Sequence, residues 1–488
     1  MRLIIEARLE GADPRWPETG TAVLAVLERE DGSVDQLGLT LAEGRAVLAE
    51  MQSRLISHQS ASWAAGNACC EVCGASLAHK DSRSIVMRTV FGKATLQSPR
   101  WLECRCTGMQ TGVRRSSSPL CKALPRRVTP ELEYLQEKWA AHLPYRQATT
   151  LLRQVLPLDQ GISTGSTRRR VLAAGKALDA EIEHGISDAS KHPATAQARE
   201  STSVGCVSVD SAWLRFSSTP KARRAARERA EQFSPCSMRI SQERHVNIAA
   251  GRATFTDRAP RLYAYVHKQV PSAAARLDQF LRGNGVEPDE RVTVICDDAG
   301  EFCKAVAGSR LARGKILDWF HIAMKVQAAH RSVLGSRQVE YRERSEIEQE
   351  IDGAKWLIWH GKGRRAVARI KALDAWLLPR EGYEDSTLYW NLRRLYFYVE
   401  NNAGTLVNYG ARYRKGLPIS SSIAESAVNQ VVSHRMAKQQ QMRWTDEGAH
   451  CLAQVRVADL NGEFSVQRLS EALALSTAAN SPQARIAA

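Results

Sequence analysis

VGCVSVDSAWLRF, residues Val204–Phe216, decides the fold. Its β-branched and small apolar residues predict a strand buried on both faces of a sheet. Asp210 is set among them. A carboxylate in that setting is costly unless it is hydrogen-bonded, paired or on a metal. The competing reading is an Asp that ends the strand and opens a turn.

The chain downstream favours the first reading. Arg244–Phe255 and Arg261–Gln269 read as two further strands, completing an antiparallel trio. Ser272–Gly283 reads as a helix, and Arg291–Cys296 as a compact strand that ends at Asp297-Asp298. Glu301–Gly308 is predicted helical, Gly314–Trp319 a strand and Phe320–His330 a helix. Three strands, a helix, a strand ending in Asp, a helix and a strand is the order of a ribonuclease H-like α/β fold. In that order the first strand's midpoint lies beside the fourth strand's end, and Asp210 and Asp297 occupy those two places.

A third acid is expected from Ser420–Val432, a helix with Glu425 in its first turns. Ser422-Ile-Ala-Glu425 is also a capping-box pattern, in which Glu425 only reaches back to the helix start. Three carboxylates suit phosphoryl transfer. Two Mg²⁺ (or Mn²⁺) ions about 3.5–4 Å apart activate the attacking oxygen and stabilise the leaving one, and hard cations take oxygen ligands. Asp210 would bridge both ions, with Asp297 on one and Glu425 on the other. The adjacent Asp298 competes with Asp297. Residues 298–424 are far more than the bare fold needs. They read as a helical insertion (Arg337–Ile358, Arg364–Leu377, Ser386–Asn401) carrying Trp356, Trp359, Trp376, Trp390, Arg393 and Arg394. Those aromatics and cations suit either a helical core or a grip on DNA.

The front third carries two other signals. Cys70-Glu-Val-Cys73-Gly74 and Cys104-Arg-Cys106 flank a predicted hairpin, Ser84–Val90 and Lys93–Leu96. Two cysteine pairs joined by strands suit a structural zinc ribbon, closed because four thiolates leave no open position. The second pair is one residue tighter than usual; Cys69 competes with Cys70, and Cys121 is a spare. Next, Pro130–Leu143 and Tyr145–Leu156 read as helices. After the turn Gly161-Ile-Ser-Thr-Gly165, a third runs through Arg168, Arg169 and Arg170 to about Glu183. This is a helix-turn-helix pattern with the arginines where a recognition helix meets phosphates or guanine edges; an ordinary basic helical hairpin is the alternative.

Lys+Arg number 68 against 52 Asp+Glu among 488 residues, a net charge of +16. The excess clusters at Arg168–Arg170, Lys221–Arg229, Lys362–Arg369 and Arg412–Lys415, the footprint of a polyanion binder. No long apolar run and no signal-peptide pattern is evident, so the cysteines read as reduced thiols or metal ligands in the cytoplasm.

Several stretches together resemble a known family. They are Gly314-Lys-Ile-Leu-Asp318-Trp-Phe-His321-Ile-Ala-Met324, Asn429-Gln-Val-Val432, Lys438-Gln-Gln-Gln-Met-Arg-Trp444, Gly448-Ala-His450 and Gln454-Val-Arg456. Phe91-Gly92, Ser98-Pro99-Arg100 and Ser118-Pro119-Leu120 add to them at the front end. The chain resembles the ISKra-type insertion-sequence transposases over about residues 68–463. These belong to the broad Mutator-like and hAT-like group of DDE transposases with an all-helical insertion. The resemblance implies that Asp210, Asp297 and Glu425 are the catalytic triad. Asp318 and His321 match the group's Asp/Cys-x-x-His signature, whose His assists near the cut. Trp444 would wedge or stack at a DNA end, or else lie in the core. One departure is that Asp298 stands where the group has Gly, so Asp298 stays beside Asp297 as a supporting acid.

The expected organisation is a small α+β module (1–66), a zinc-ribbon-like domain (67–125) and a helix-turn-helix domain (126–190). A ribonuclease H-like core follows (200–335), then the helical insertion (336–415), the core's last helices (416–465) and a tail (466–488). The expected function is Mg²⁺-dependent cleavage and strand transfer on the terminal inverted repeats of a bacterial element and on target DNA. A homodimer or larger assembly would act at the nucleoid. The rivals are a non-catalytic zinc-containing DNA binder and a nuclease without strand transfer.

Overall fold

The computed structural model describes residues 1–8, 21–29, 37–108, 115–189, 199–200, 204–217, 245–255, 257–297, 300–420, 426–436 and 442–479. Its architecture mixes helices with three sheets. The chain divides into two compact units, 1–171 with 465–470, and 172–464 with 471–488. Among the described residues no helix is long and apolar enough to cross a membrane.

In the first unit, β1 (Arg2–Ala7) and β2 (Ala22–Glu28) form an antiparallel pair. Helix α1 (Leu41–Gly66) starts at a capping box: Glu43 N donates to the Thr40 hydroxyl, and Thr40 N donates to the Glu43 carboxylate at 2.9 Å. The hairpin of β3 (His79–Thr89) and β4 (Gly92–Leu102) is longer than the apolar alternation alone predicts. The outer ends of its strands are polar, so hydrophobic periodicity marks only the middle. The short β5 (Ser116–Ser117) pairs with the end of β4.

Three helices follow, α2 (Pro130–His142), α3 (Tyr145–Val155) and α4 (Thr164–Ala189). Val90 at the hairpin tip shares one buried cluster with Val128, Leu132 and Ile162. The Arg88 guanidinium pairs with Asp159 at 2.8 Å and lies against the backbone of Gly161, where a Cβ would collide with it. Hairpin and helices, expected as two domains, thus share an apolar cluster in this unit.

The second unit is built on a six-stranded sheet. Its strands are β6 (Arg199–Glu200), β7 (Val204–Arg215), β8 (His245–Phe255), β9 (Arg261–Val266), β10 (Glu290–Cys296) and β11 (Ala312–Leu317). The order is β11-β10-β7-β8-β9, with β6 also paired to β10. β7, β8 and β9 are antiparallel neighbours, while β10 runs parallel to both β7 and β11. β7 is therefore central, as its apolar composition demands. The turn reading of Asp210 fails, because β7 runs five residues past it.

Helices α5 (Ala273–Gly283), α6 (Gly300–Gly308) and α7 (Trp319–Gly335) alternate with the parallel strands. The insertion is helical as expected: α8 (Arg344–Trp359), α9 (Gly363–Leu377), α10 (Thr387–Asn401) and the short α11 (Tyr409–Arg414). Its buried residues, Ile351, Ile370 and Leu392 among them, share one core with Ile322, Val326 and Ala329 of α7. Trp356, Trp376 and Trp390 stay about half exposed, at 54%, 49% and 52%, while Trp359 packs on that core.

The return to the sheet includes a π turn, Asn429–Ser433, where a regular helix was expected. Helix α12 (Asp446–Leu460) then covers the edge strand β9. His450 Nδ1 accepts from Val266 N at 3.2 Å, and Gln454 donates to Ala264 O at 2.8 Å, so side chains serve backbone groups that no further strand reaches. Part of the expected tail is helix α13 (Val466–Ala479). The basic stretch Lys221–Arg229 lies outside the described residues.

Candidate functional site

Adjacent parallel strands bring the first two acids together. β10 pairs with β7 so that Cys296 lies opposite Val209. Asp210 follows Val209 within β7, and Asp297 follows Cys296 just past the end of β10. Ser211 N donates to Asp210 Oδ1 at 2.7 Å. β11 ends beside Cys296 at Leu317, and Asp318 there caps α7, accepting from Phe320 N at 2.9 Å. The first turn of α7 presents His321. One ligand atom from each of Asp210, Asp297 and His321 lies within 4.8 Å of the other two, and all three residues are half-buried.

Asp318 is fully buried, and its Oδ2 holds His321 Nδ1 at 2.7 Å. This bond raises the imidazole's pKa above its ordinary value; burial opposes it, and the charges of Asp210 and Asp297 add to it. The turn that carries Asp318 is locked by the insertion. The buried Tyr409 hydroxyl donates to Leu317 O at 2.7 Å, and Trp319 packs edge-on against Trp359 with ring centroids 4.7 Å apart. Two carboxylates and an imidazole at this spacing suit a divalent cation, with oxygen donors dominating the set.

Glu425 and Asp298 lie outside the described residues. Ser426, the first described residue after Glu425, accepts from Arg252 Nη1 at 3.4 Å. Arg252 is the cross-strand partner of Ser208, which shares Asp210's face of β7. The chain therefore returns to the Asp210 face of the sheet at Ser426. Sequence reasoning placed Glu425 as the third member; among the described residues the third donor is His321. The Asp318-x-x-His321 match in the resemblance marks it as a supporting residue, not as a member of the acid cluster.

The cysteines form a second centre. Sγ atoms of Cys70 and Cys106, of Cys73 and Cys104, and of Cys73 and Cys106 are each 3.5 Å apart. A zinc ion with four thiolates at about 2.3 Å places its sulfurs about 3.8 Å apart, so the four side chains fit such an ion. Backbone N–H groups of Cys73 and Val72 pull the Cys70 thiol down to about 7, while neighbouring thiols push Cys106 up to about 12. A bound cation relieves that conflict. Gly74, at φ 70°, closes the first knuckle in a conformation that disfavours a side chain. Cys70, not Cys69, is the member of the cluster.

The expected DNA contacts divide. Arg168 and Arg169 are exposed at the start of α4. Arg170 instead turns inward, pairing with Glu133 at 3.4 Å and donating to Gln136. Trp444, expected at a DNA end, is 7% exposed. Its indole N–H donates to Met436 O at 3.1 Å, and its backbone pairs with the end of β7. Of the two readings left open, a DNA end or the core, the buried ring and the already paired indole N–H favour the core. A scan against protein-family models finds no match to this chain, and a search of curated proteins finds none.

Proposed function

We propose that the chain is a DDE-type transposase with a ribonuclease H-like catalytic core, acting on DNA. The observation that carries the reading is the meeting of Asp210, Asp297 and His321 within 4.8 Å, where β10 ends beside the middle of its parallel neighbour β7. The strand order β9-β8-β7-β10-β11, antiparallel then parallel, supports the ribonuclease H-like assignment. So does the return of the chain, just after Glu425, to the Asp210 face.

Asp210 and Asp297, with Glu425 as third acid, hold divalent metal. Mg²⁺ or Mn²⁺, when bound, supplies charge to activate the attacking oxygen and stabilise the leaving one. In cleavage, water adds to phosphorus, the P–O3′ bond breaks and a 3′-OH is released. In joining, that 3′-OH attacks a target phosphodiester, one P–O bond replaces another, and a target 3′-OH leaves. Asp318 keeps the His321 ring fixed, and His321 donates a hydrogen bond to the scissile phosphate. The four cysteines hold a structural zinc ion, and Arg168 and Arg169 contact the DNA backbone. The substrates are the element's terminal repeats and target DNA, and the active species is a dimer or larger.

Asp210→Asn is expected to reduce Mg²⁺-dependent cleavage to background and to leave DNA affinity nearly unchanged. Continued nicking by this variant overturns the assignment. Nicking without joining of a pre-cut end by the wild-type protein reassigns it to a nuclease.

A further inference from the structure

The two Ser-Pro signposts of the front end are not used by either centre above. Ser98 and Ser118 converge on one pocket of about 400 Å³ in the first unit. Register explains how: Arg83 faces Ser98 across the β3–β4 ladder, and Arg100 lies two residues along on the same face. The floor is a bonded set. The Ser98 hydroxyl lies 2.6 Å from that of Ser118 and 3.3 Å from Cys121 Sγ. Arg83, Arg100 and Arg127 also line the cavity.

Charge there is unbalanced. Arg100 pairs with Asp81 at 3.1 Å. Arg83 and Arg127 are exposed and make no ion pair among the described residues. No acidic residue and no aromatic ring lines the cavity. The Cys121 thiol is drawn below its ordinary pKa by Ser98 first, then by Ser118 and the Arg127 charge, against its burial. The floor thus favours negative charge. Guanidinium forks over hydroxyl donors match the oxygens of a phosphate group. Without an aromatic face, nothing serves to stack a base.

We propose that this pocket is a phosphate-binding site that seats one backbone phosphodiester of bound DNA. The DNA source rests on the function proposed above; the phosphate chemistry rests on the pocket alone. Arg168 and Arg169 lie exposed in the same unit. The pocket adds a sequence-independent contact to that of the helix.

The test uses the full chain loaded with zinc and a short duplex of arbitrary sequence at low salt. Iodoacetamide modification of Cys121 is followed by mass spectrometry, alone, with duplex and with inorganic phosphate. Duplex near ten times its Kd is expected to slow the reaction about tenfold. Arg83→Gln and Arg127→Gln are each expected to lower the salt slope of binding by about one. Arg54→Gln, on α1 and already paired with Glu50, is the control and leaves the slope unchanged. If duplex binds but Cys121 reacts at its free rate and both slopes hold, the pocket is refuted and the DNA-binding reading survives. If duplex does not bind but phosphate protects Cys121, the pocket stands as an anion site and the DNA reading falls. If duplex does not bind and phosphate does not protect Cys121, both fall.

Discussion

Asp318 does two jobs with one carboxylate, capping α7 through Oδ1 and gripping His321 through Oδ2. Asparagine caps a helix as well as aspartate does, but it carries no charge. Asp318→Asn is therefore expected to fold normally, to let the His321 pKa fall, and to cut DNA cleavage about tenfold, the difference between a charged and a neutral hydrogen bond to the phosphate. Imidazole NMR titration and a cleavage assay check it; unchanged values in both would reduce Asp318 to a cap. Glu137 is a second fully buried acid. It is 1% exposed, its Oε2 has no hydrogen-bond partner, and burial, then the Glu133 charge, raises its pKa well above the usual range. The folded state then binds a proton that the unfolded state has released, so stability falls as pH rises through the shifted pKa. Glu137→Gln removes that dependence. It should stabilise the protein by about 1.4 kcal/mol for each pH unit above the ordinary glutamate range, up to the shifted pKa. Little difference should remain below the ordinary glutamate range, as read by denaturant unfolding across pH.

The β3–β4 hairpin was legible because alternation and a Phe91-Gly92 turn mark it, and the cysteine spacing marked its knuckles. What spacing left open was the choice between Cys69 and Cys70 and the adequacy of the tight Cys104-x-Cys106 pair; only side-chain positions decide these. One zinc per chain is expected by metal analysis. Cys104→Ser should release it and lower the melting temperature, because a structural zinc site contributes folding free energy directly. A metal-free wild-type protein with an unaltered melting curve would overturn this. The insertion helices were equally legible, yet their dependence on α7 was not. Ile351, Ile370 and Leu392 look like any helix core until packing shows them holding the helix that presents His321.

Across the whole molecule, a net charge of +16 predicts DNA affinity that falls steeply with salt. Arg168→Gln and Arg169→Gln should each weaken binding evenly across sequences and lower the salt slope by about one. Arg170→Gln should instead destabilise the helices it ties through Glu133 and leave the slope nearly unchanged; salt titrations by fluorescence anisotropy separate the two. The three arginines are indistinguishable as a run of letters. By itself the sequence determined most of the strand and helix segments, that Asp210 belongs to an apolar strand stretch, and that four cysteines come as two close pairs. These are local matters of side-chain shape and periodicity. Only the tertiary structure decided that His321 joins Asp210 and Asp297 in one cluster, that Arg170 turns inward, that Trp444 is buried, and that Ser98 and Ser118 share a pocket. Such neighbours are set by strand register and by which apolar faces bury each other, and neither is encoded in any one stretch of chain.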